Sequence, residues 1–347
     1  MNKIHHKKNI KNYTLSELEE EFTGKKIPKY RAAQLFYWLY NKNTNQFNDM
    51  TNIPNKVKEI LNSDYFISRL HLKKFACSID HTEKYLFRLE DGNLIESVLI
   101  FSKNRITECI SSQVGCKFNC LFCESGKKGF SRNLEVSEIV NQVLTVKEKI
   151  NKFPSNIVFM GIGEPLDNYD NVIKAIHLFN EEKAFNIGAR KITISTCGII
   201  PAIKKLMNIG WQVELSISLH APENKLRNYL MPVNQKYPLL DLIKICKEYT
   251  EKTGRQITFE YVLLGEINDS LNHADQLAKL LSDFNSKVNL ISYNQGSTTM
   301  LRPSTSNRSF LFKNRLIKAG ITATIRSSRG SDISAACGQL KSKYLKS

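Results

Sequence analysis

Three cysteines fall within one short stretch, Cys116-Lys-Phe-Asn-Cys120-Leu-Phe-Cys123, spaced C-x3-C-x2-C. Thiolates this close in sequence can converge on one iron–sulfur cluster or one metal ion. Three protein ligands leave a four-coordinate site one position short, and an open position belongs to reactive sites, since structural sites are closed. Zinc would bring a fourth Cys or His within or just after the loop, and none is there. A ferredoxin run would read C-x2-C-x2-C. The ligand logic therefore favours a [4Fe–4S] cluster with one open iron over zinc. Phe118 and Phe122, inside the loop, would shield such a cluster from solvent.

Other reactive residue types are scattered. Gly161-Ile-Gly-Glu-Pro165 lacks the third glycine of a dinucleotide fingerprint. Its glycines let a small ligand approach the backbone, with Glu164 there to hold an ammonium or hydroxyl; a plain tight turn fits equally well. Cys109 and Cys337 are core residues by default, because free cysteine is usually packing. Glu96 alternates with apolar neighbours, the pattern of a solvent-facing strand residue. His220 reads as a satisfied core histidine. Cys246 sits in an apolar helical pattern and reads as packing, and Cys77 has no informative context.

The elements that must position these residues alternate strand and helix. Strands are predicted at 107–113, 156–161, 191–196, 212–219, 257–264, 287–292 and 321–327. Helices are predicted at 137–150, 170–181, 200–208, 238–252, 269–283 and 308–319. About six β/α units around a parallel sheet follow, as a partial or full barrel or a doubly wound sheet. In parallel barrels the chemistry gathers at the C-terminal strand ends. The cysteine loop, Gly161–Pro165, Ser195–Gly198, Ser218–His220 and Asn294 all fall there. Upstream, Thr14-Leu-Ser-Glu17 is a capping box for a helix ending near Gly24. Pro28 opens a helical run through Tyr40, and a third helix starts at Pro54. Lys25, Lys26, Lys29 and Arg31 read as a solvated face over a buried aromatic stripe. Lys84–Leu89 and Leu94–Phe101 read as strands around the turn Asp91-Gly92-Asn93. The expected division is a basic, mobile tail over 1–13, a helical accessory domain and linker over 14–83, a β-hairpin extension over 84–106, and the α/β core over 107–347.

The 347 residues carry a formal net charge of +17. That points to a polyanionic partner, most simply nucleic acid, although a lysine-rich proteome would give the same figure. The apolar runs are too short to span a bilayer. The basic N-terminus has no apolar segment behind it, so a cytoplasmic protein is expected. In that reducing compartment eight cysteines do not make a disulfide scaffold.

Taken together, several strings carry a resemblance. They are Arg31-Ala-Ala-Gln-Leu-Phe-Tyr-Trp-Leu-Tyr40, Cys109-Ile-Ser-Ser-Gln-Val-Gly-Cys116, Gly129-Phe-Ser-Arg-Asn-Leu134, Phe159-Met-Gly-Ile-Gly-Glu-Pro-Leu166, Ile194-Ser-Thr-Cys-Gly-Ile-Ile-Pro201, Ser218-Leu-His-Ala-Pro222, Leu230-Met-Pro-Val-Asn234 and Asp332-Ile-Ser-Ala-Ala-Cys-Gly-Gln-Leu340. With the cysteine loop they resemble the radical S-adenosylmethionine (SAM) superfamily. Within it they resemble the RlmN-type RNA methyltransferases, which methylate adenine C2 in 23S rRNA and tRNA. The resemblance implies a partial (β/α)6 barrel with a small N-terminal helical domain. It implies a [4Fe–4S] cluster on Cys116, Cys120 and Cys123, and two SAM molecules per turnover. The positions matching SAM contacts are Gly163, Glu164, Ser195, Ser218, Leu219, His220 and Asn294. Cys337 matches the cysteine that is itself methylated, Cys109 the second catalytic cysteine, and Glu96 the proton acceptor. In the family's mechanism one SAM methylates Cys337, and a radical made from a second SAM takes a hydrogen from that methyl group. The resulting carbon radical adds to the adenine, and Cys109 releases the product by forming a disulfide with Cys337. An electron donor such as flavodoxin or ferredoxin and a monomeric state are implied as well.

Two alternatives stay open on the residues. One is the related antibiotic-resistance branch, which methylates adenine C8. The other is a non-catalytic basic RNA-binding protein with a structural cluster or zinc. The sequence also departs from the family pattern at Glu124-Ser125 and at Gln295, where a proline is usual after Asn294.

Overall fold

The computed structural model describes residues 7–295 and 301–340; the ends of the expected tail and core, 1–6 and 341–347, lie outside them. Two early segments pair in parallel, β1 (Lys8–Asn9) with β2 (Tyr65–Phe66). Between them run three helices, α1 (Leu15–Gly24), α2 (Tyr30–Phe36, prolonged by a π-helical turn over Tyr37–Asn41) and α3 (Asn55–Asp64). The capping box forms, with the Thr14 hydroxyl accepting from Glu17 N and the Glu17 carboxylate accepting from Thr14 N. The expected mobile tail over 1–13 is corrected for its described part. Ile10 and Lys11 have no exposed surface, and the Lys11 ammonium donates to Asn141 Oδ1 at 2.8 Å and Ser68 O at 3.2 Å. The aromatic stripe of α2 divides: Phe36 and Tyr40 are buried, whereas Tyr30 and Tyr37 stand exposed among the lysines and Arg31.

Ten strands then form one sheet. Its antiparallel side is β3 (His71–Cys77), β4 (Glu83–Arg88) and β5 (Leu94–Ser102), followed by β6 (Arg105–Cys109). From β6 the sheet continues in parallel through β9 (Asn156–Phe159), β10 (Ile192–Thr196), β11 (Glu214–Ser218), β12 (Ile257–Leu263), β13 (Ser286–Ser292) and β14 (Thr322–Arg326). The order β14-β13-β12-β11-β10-β9-β6-β5-β4-β3 has two free edges, so the barrel is partial. β3 lies in the segment read as a linker, and the sheet therefore begins at 71. A separate hairpin, β7 (Gln113–Gly115) with β8 (Phe130–Asn133), brackets the cysteine loop; it takes up the end of the strand predicted at 107–113 and adds a strand before the helix predicted at 137–150.

The crossovers are helical: α4 (Val136–Ile150), α5 (Tyr169–Asn180), α6 (Ile200–Leu206), α7 (Asn224–Leu230), α8 (Leu239–Thr253), α9 (Leu271–Leu281) and α10 (Ser306–Lys318). Apolar faces such as Ile139, Val140, Val143 and Leu144 on α4 pack on the sheet and join the N-terminal helices in one core. α4 is the seam: Asn9 Nδ2 donates to Ser137 Oγ at 2.9 Å, and the Lys147 ammonium donates to Tyr40 O at 2.9 Å. Among the described residues no helix is long and apolar enough to cross a membrane.

Candidate active site

The cysteine loop is closed at its base by backbone contact. Cys116 N donates to Gly129 O at 3.0 Å, and a Cβ on Gly115 (φ +76) would lie 1.9 Å from that same oxygen. Only glycine lets the two ends meet there. Within the loop Cys123 N donates to Cys120 O, and Leu121 N donates to Leu230 O, each at 3.0 Å. Cys116, Cys120 and Cys123 face one cavity of about 170 Å³, walled by Phe118, Phe122, Phe159 and Met231. Burial holds the Cys116 thiol up at about 12 and that of Cys120 well above its ordinary value. Iron would displace those protons, since a thiol that binds metal is deprotonated. Among the described residues no three His, Cys, Asp or Glu side chains meet closely enough for a single ion. The thiols ring a cavity instead, which suits a cluster offering an iron to each of them.

Four strand ends complete this cavity with Gly163 and Glu164, Ser195, Ser218 and His220, and Tyr293. Glu164 is 5% exposed, and both its oxygens are engaged: Oε2 accepts from Cys197 N at 2.7 Å and Oε1 from Leu166 N at 3.0 Å. It is first a tie between two strand ends, and burial raises its pKa. His220 is buried at φ +57, and its Nδ1 accepts from Val262 N at 2.9 Å. That bond places the ring proton on Nε2. Burial, with Arg227 nearby, lowers its pKa to about 3, so the ring is neutral. Phe122 packs edge-on against it at 4.6 Å. Leu219 is not brought into the cavity; its side chain is in the core. Asn294 lines the neighbouring groove.

That groove, of about 720 Å³, runs along the inside of the barrel. Cys337 faces both cavities. Cys109, at the end of β6, lines the groove only and is buried. Both cysteines are free thiols. Burial raises the Cys109 thiol, and the proximity of Cys337 adds to the effect. Cys337 is exposed to the groove, yet the surrounding walls still raise its thiol, with Arg326 opposing them. The segment carrying Cys337 is anchored on two sides. Glu124 N donates to Gly338 O at 2.8 Å, and Ser125 Oγ donates to Leu340 O at 2.9 Å. The residues that depart from the family pattern thus join the cluster loop to the Cys337 segment. Gln295 O accepts from Gln339 Nε2 at 3.3 Å, so that departure keeps a backbone contact to the same segment. On the far side Ser78 Oγ donates to Asp332 Oδ1 at 2.5 Å, Gly330 N to Asp80 Oδ2 at 3.2 Å, and the Lys84 ammonium to Ser334 O at 3.0 Å.

Glu96 corrects the reading of a solvent-facing strand residue. It is 1% exposed and pairs with Lys84, itself 5% exposed, at 2.9 Å. Its face of β5 is the one from which Val98 and Ile100 line the groove, and Ser111 Oγ holds its backbone carbonyl at 2.6 Å. Sequence reasoning missed Glu260 on β12, which lines both cavities. Its Oε1 accepts from Asn289 Nδ2 at 3.1 Å, and its buried Oε2 has no partner among the described residues. A carboxylate inside the apolar run Ile257–Leu263 was the available signal. Cys197, inside the strand-end motif Ser195–Gly198 but given no role of its own, also lines this cavity.

A parallel, open-edged barrel with three thiols just beyond β6 defines a radical SAM enzyme, the class that works with a [4Fe–4S] cluster and SAM. Residues 110–280 match the family model of the Radical SAM superfamily, and residues 8–67 match that of the ribosomal RNA large subunit methyltransferase N-terminal domain. A probable dual-specificity RNA methyltransferase RlmN of Clostridium novyi is 46% identical over 340 residues, 98% of this chain and 99% of the relative. One of the same description from Thermotoga maritima is 45% identical over 341 residues, covering 98% and 99%. The crystal structure of a radical SAM methyltransferase from Sphaerobacter thermophilus superposes with a TM-score of 0.91 at 40% identity, covering 97% of this chain and all of that one. The chain belongs to the RlmN family of radical SAM RNA methyltransferases.

Proposed function

We propose that this enzyme methylates C2 of adenine in 23S rRNA and in tRNA, through a methyl group carried on Cys337. The observation that carries the reading is the place of Cys337, a thiol outside the cysteine loop that lines both the cavity of Cys116, Cys120 and Cys123 and the groove holding Cys109. The description of its relatives as dual-specificity RNA methyltransferases supports two RNA substrates.

When bound, the cluster and SAM supply a methyl group for one half-reaction and a carbon-centred radical for the other. The chain's own residues do the rest. Cys116, Cys120 and Cys123 hold the cluster; Gly163, Glu164, Ser195, Ser218 and His220 bound the space for SAM. Cys337, as thiolate, takes the methyl group, and the Arg326 guanidinium favours that ionised form. After losing a hydrogen atom, the methyl carbon on Cys337 bonds to adenine C2. Glu96 takes the C2 proton, and Lys84 holds its carboxylate in place. The adduct also gives up its unpaired electron, which would return to the oxidised cluster; Cys109 as thiolate then attacks the sulfur of Cys337, the sulfur–carbon bond breaks with its electron pair on the methylene carbon, and that carbon takes a proton to become the methyl group as the disulfide forms. Free thiols, a low-potential electron donor of the flavodoxin or ferredoxin kind and a monomeric enzyme in the cytoplasm fit this cycle.

The test is nucleoside mass spectrometry on rRNA and tRNA treated with anaerobically reconstituted enzyme, SAM and reductant. 2-Methyladenosine in both RNAs is expected. 8-Methyladenosine would reassign the regiochemistry, and product in one RNA only would narrow the substrate.

A further inference from the structure

Arg227, on α7, has no exposed surface. Its Nε donates to Leu219 O at 3.2 Å and Nη1 to Asn234 Oδ1 at 2.8 Å; Nη2 donates to Cys197 O at 2.8 Å and Ser218 O at 3.0 Å. Every acceptor is neutral. Among the described residues the ionisable groups nearby are the thiols of Cys197, Cys120 and Cys246 and the neutral imidazole of His220, none of them an anion. A cation buried without an anion is costly, and proteins pair such charges or place them against a charged group.

The place of the guanidinium names that group. Cys197 and Ser218 are cavity-lining residues, so Arg227 lies directly behind the wall of the cluster cavity. The end of its helix receives the cysteine loop through the Leu121 N to Leu230 O bond at 3.0 Å. Three thiolates bring three negative charges to this cavity, and a cluster that accepts one electron becomes more negative by one charge. A fixed cation in a low-dielectric wall stabilises the reduced form more than the oxidised form.

We propose that Arg227 is the counter-charge of the [4Fe–4S] cluster and holds its reduction potential up, within reach of the electron donor. This rests on Cys116, Cys120 and Cys123 being the cluster's ligands. The electron comes from a low-potential one-electron reductant, dithionite in the assay, and no bond forms or breaks in the step.

Full-length protein would be reconstituted anaerobically as wild type, Arg227→Lys, Arg227→Met and Asn234→Asp. Iron content, about four per chain by the cluster logic, tests the ligand assignment separately. Each variant is then titrated with dithionite and followed by the electron paramagnetic resonance of the reduced cluster. Arg227→Met should lower the reduced-to-oxidised ratio at a given poise about tenfold, which is 59 mV for one electron. Arg227→Lys keeps the charge and should stay near wild type. Asn234→Asp sets a carboxylate against the guanidinium and should shift the potential as Arg227→Met does. Full iron with wild-type potentials in both Arg227→Met and Asn234→Asp would overturn the proposal. If these variants do not fold, wild type decides: loading the cluster should raise the melting temperature, and no rise overturns the pairing. Wild type that binds no iron would overturn the ligand assignment and the proposal with it.

Discussion

The two cavities that meet at Cys337 are made of opposite materials on the same strands. The inward residues of β13 run Lys287, Asn289, Ile291, and those of β12 run Thr258, Glu260, Val262. β9 runs Asn156, Val158 and then Met160 just past its end. Each strand begins polar in the groove and ends apolar beside the cluster loop. Period-two alternation keeps all of them on one face, so the gradient lies along the strand axis. It sets a chamber with the aromatic walls Phe118, Phe122 and Phe159 beside a groove carrying Arg105, Arg190, Lys287 and Arg326. A reactive radical calls for the first environment, and a polyanionic substrate for the second.

The largest way to break this division is to remove the thiol that spans it. Cys337→Ala should abolish methylation while SAM cleavage persists, read by product mass spectrometry and 5′-deoxyadenosine release. Cys109→Ala leaves the chamber of the cysteine loop intact and removes the thiol proposed to release the product on the groove side. A covalent protein–RNA adduct should then persist on a denaturing gel; its absence with active SAM cleavage would refute the pairing of the two cysteines.

The ion pair between β4 and β5, beside the groove, can be tested next. Lys84→Met removes one partner of a buried ion pair and should cost about 3–5 kcal/mol in denaturant unfolding. The double variant Lys84→Met/Glu96→Leu should recover much of that stability without recovering methylation. Glu108, on β6 beside Cys109, is fully buried, and neither carboxylate oxygen has a partner among the described residues. Burial raises its pKa from 4.5 to about 8. Because the folded value is the higher one, the cost is absent below pH 4.5 and grows as pH rises to about 8. Glu108→Gln should therefore melt like wild type at pH 4 and be more stable by on the order of 4 kcal/mol at pH 8. Equal melting curves at both pH values would refute this. The smallest effect is at the junction: Ser125→Ala loses the bond to Leu340 O. It should cost about 1 kcal/mol and raise the ratio of SAM cleaved to RNA methylated.

Much of this was legible beforehand. The capping box at Thr14, the helical run after Pro28 and six of the seven parallel strands follow from local patterns, whereas the strand expected at 107–113 ends at Cys109 and gives Gln113 to the separate hairpin. The cluster cysteines announce themselves because their chemistry is carried by spacing within one loop. Glu96 was illegible: period-two alternation shows which residues share a face, and says nothing of whether a third layer covers that face. Here Lys84 and the segment before Cys337 cover it. The tail failed for a related reason. Lys11 looks solvated in sequence, and only the carbonyl of Ser68 and the amide of Asn141, far along the chain, make its burial tolerable. Arg227 was passed over because a lone arginine in a short helix has no pattern at all.

The anchoring of the Cys337 segment has a consequence for how the enzyme is born. Its partners on the far side, Ser78, Asp80 and Lys84, are made about 250 residues earlier in the chain. Cys337 follows every strand of the sheet. On a ribosome the dock is thus finished long before its cargo emerges. Cys337 and Gly338 also line the cavity of the cysteine loop, so that cavity too is closed only when the late segment docks.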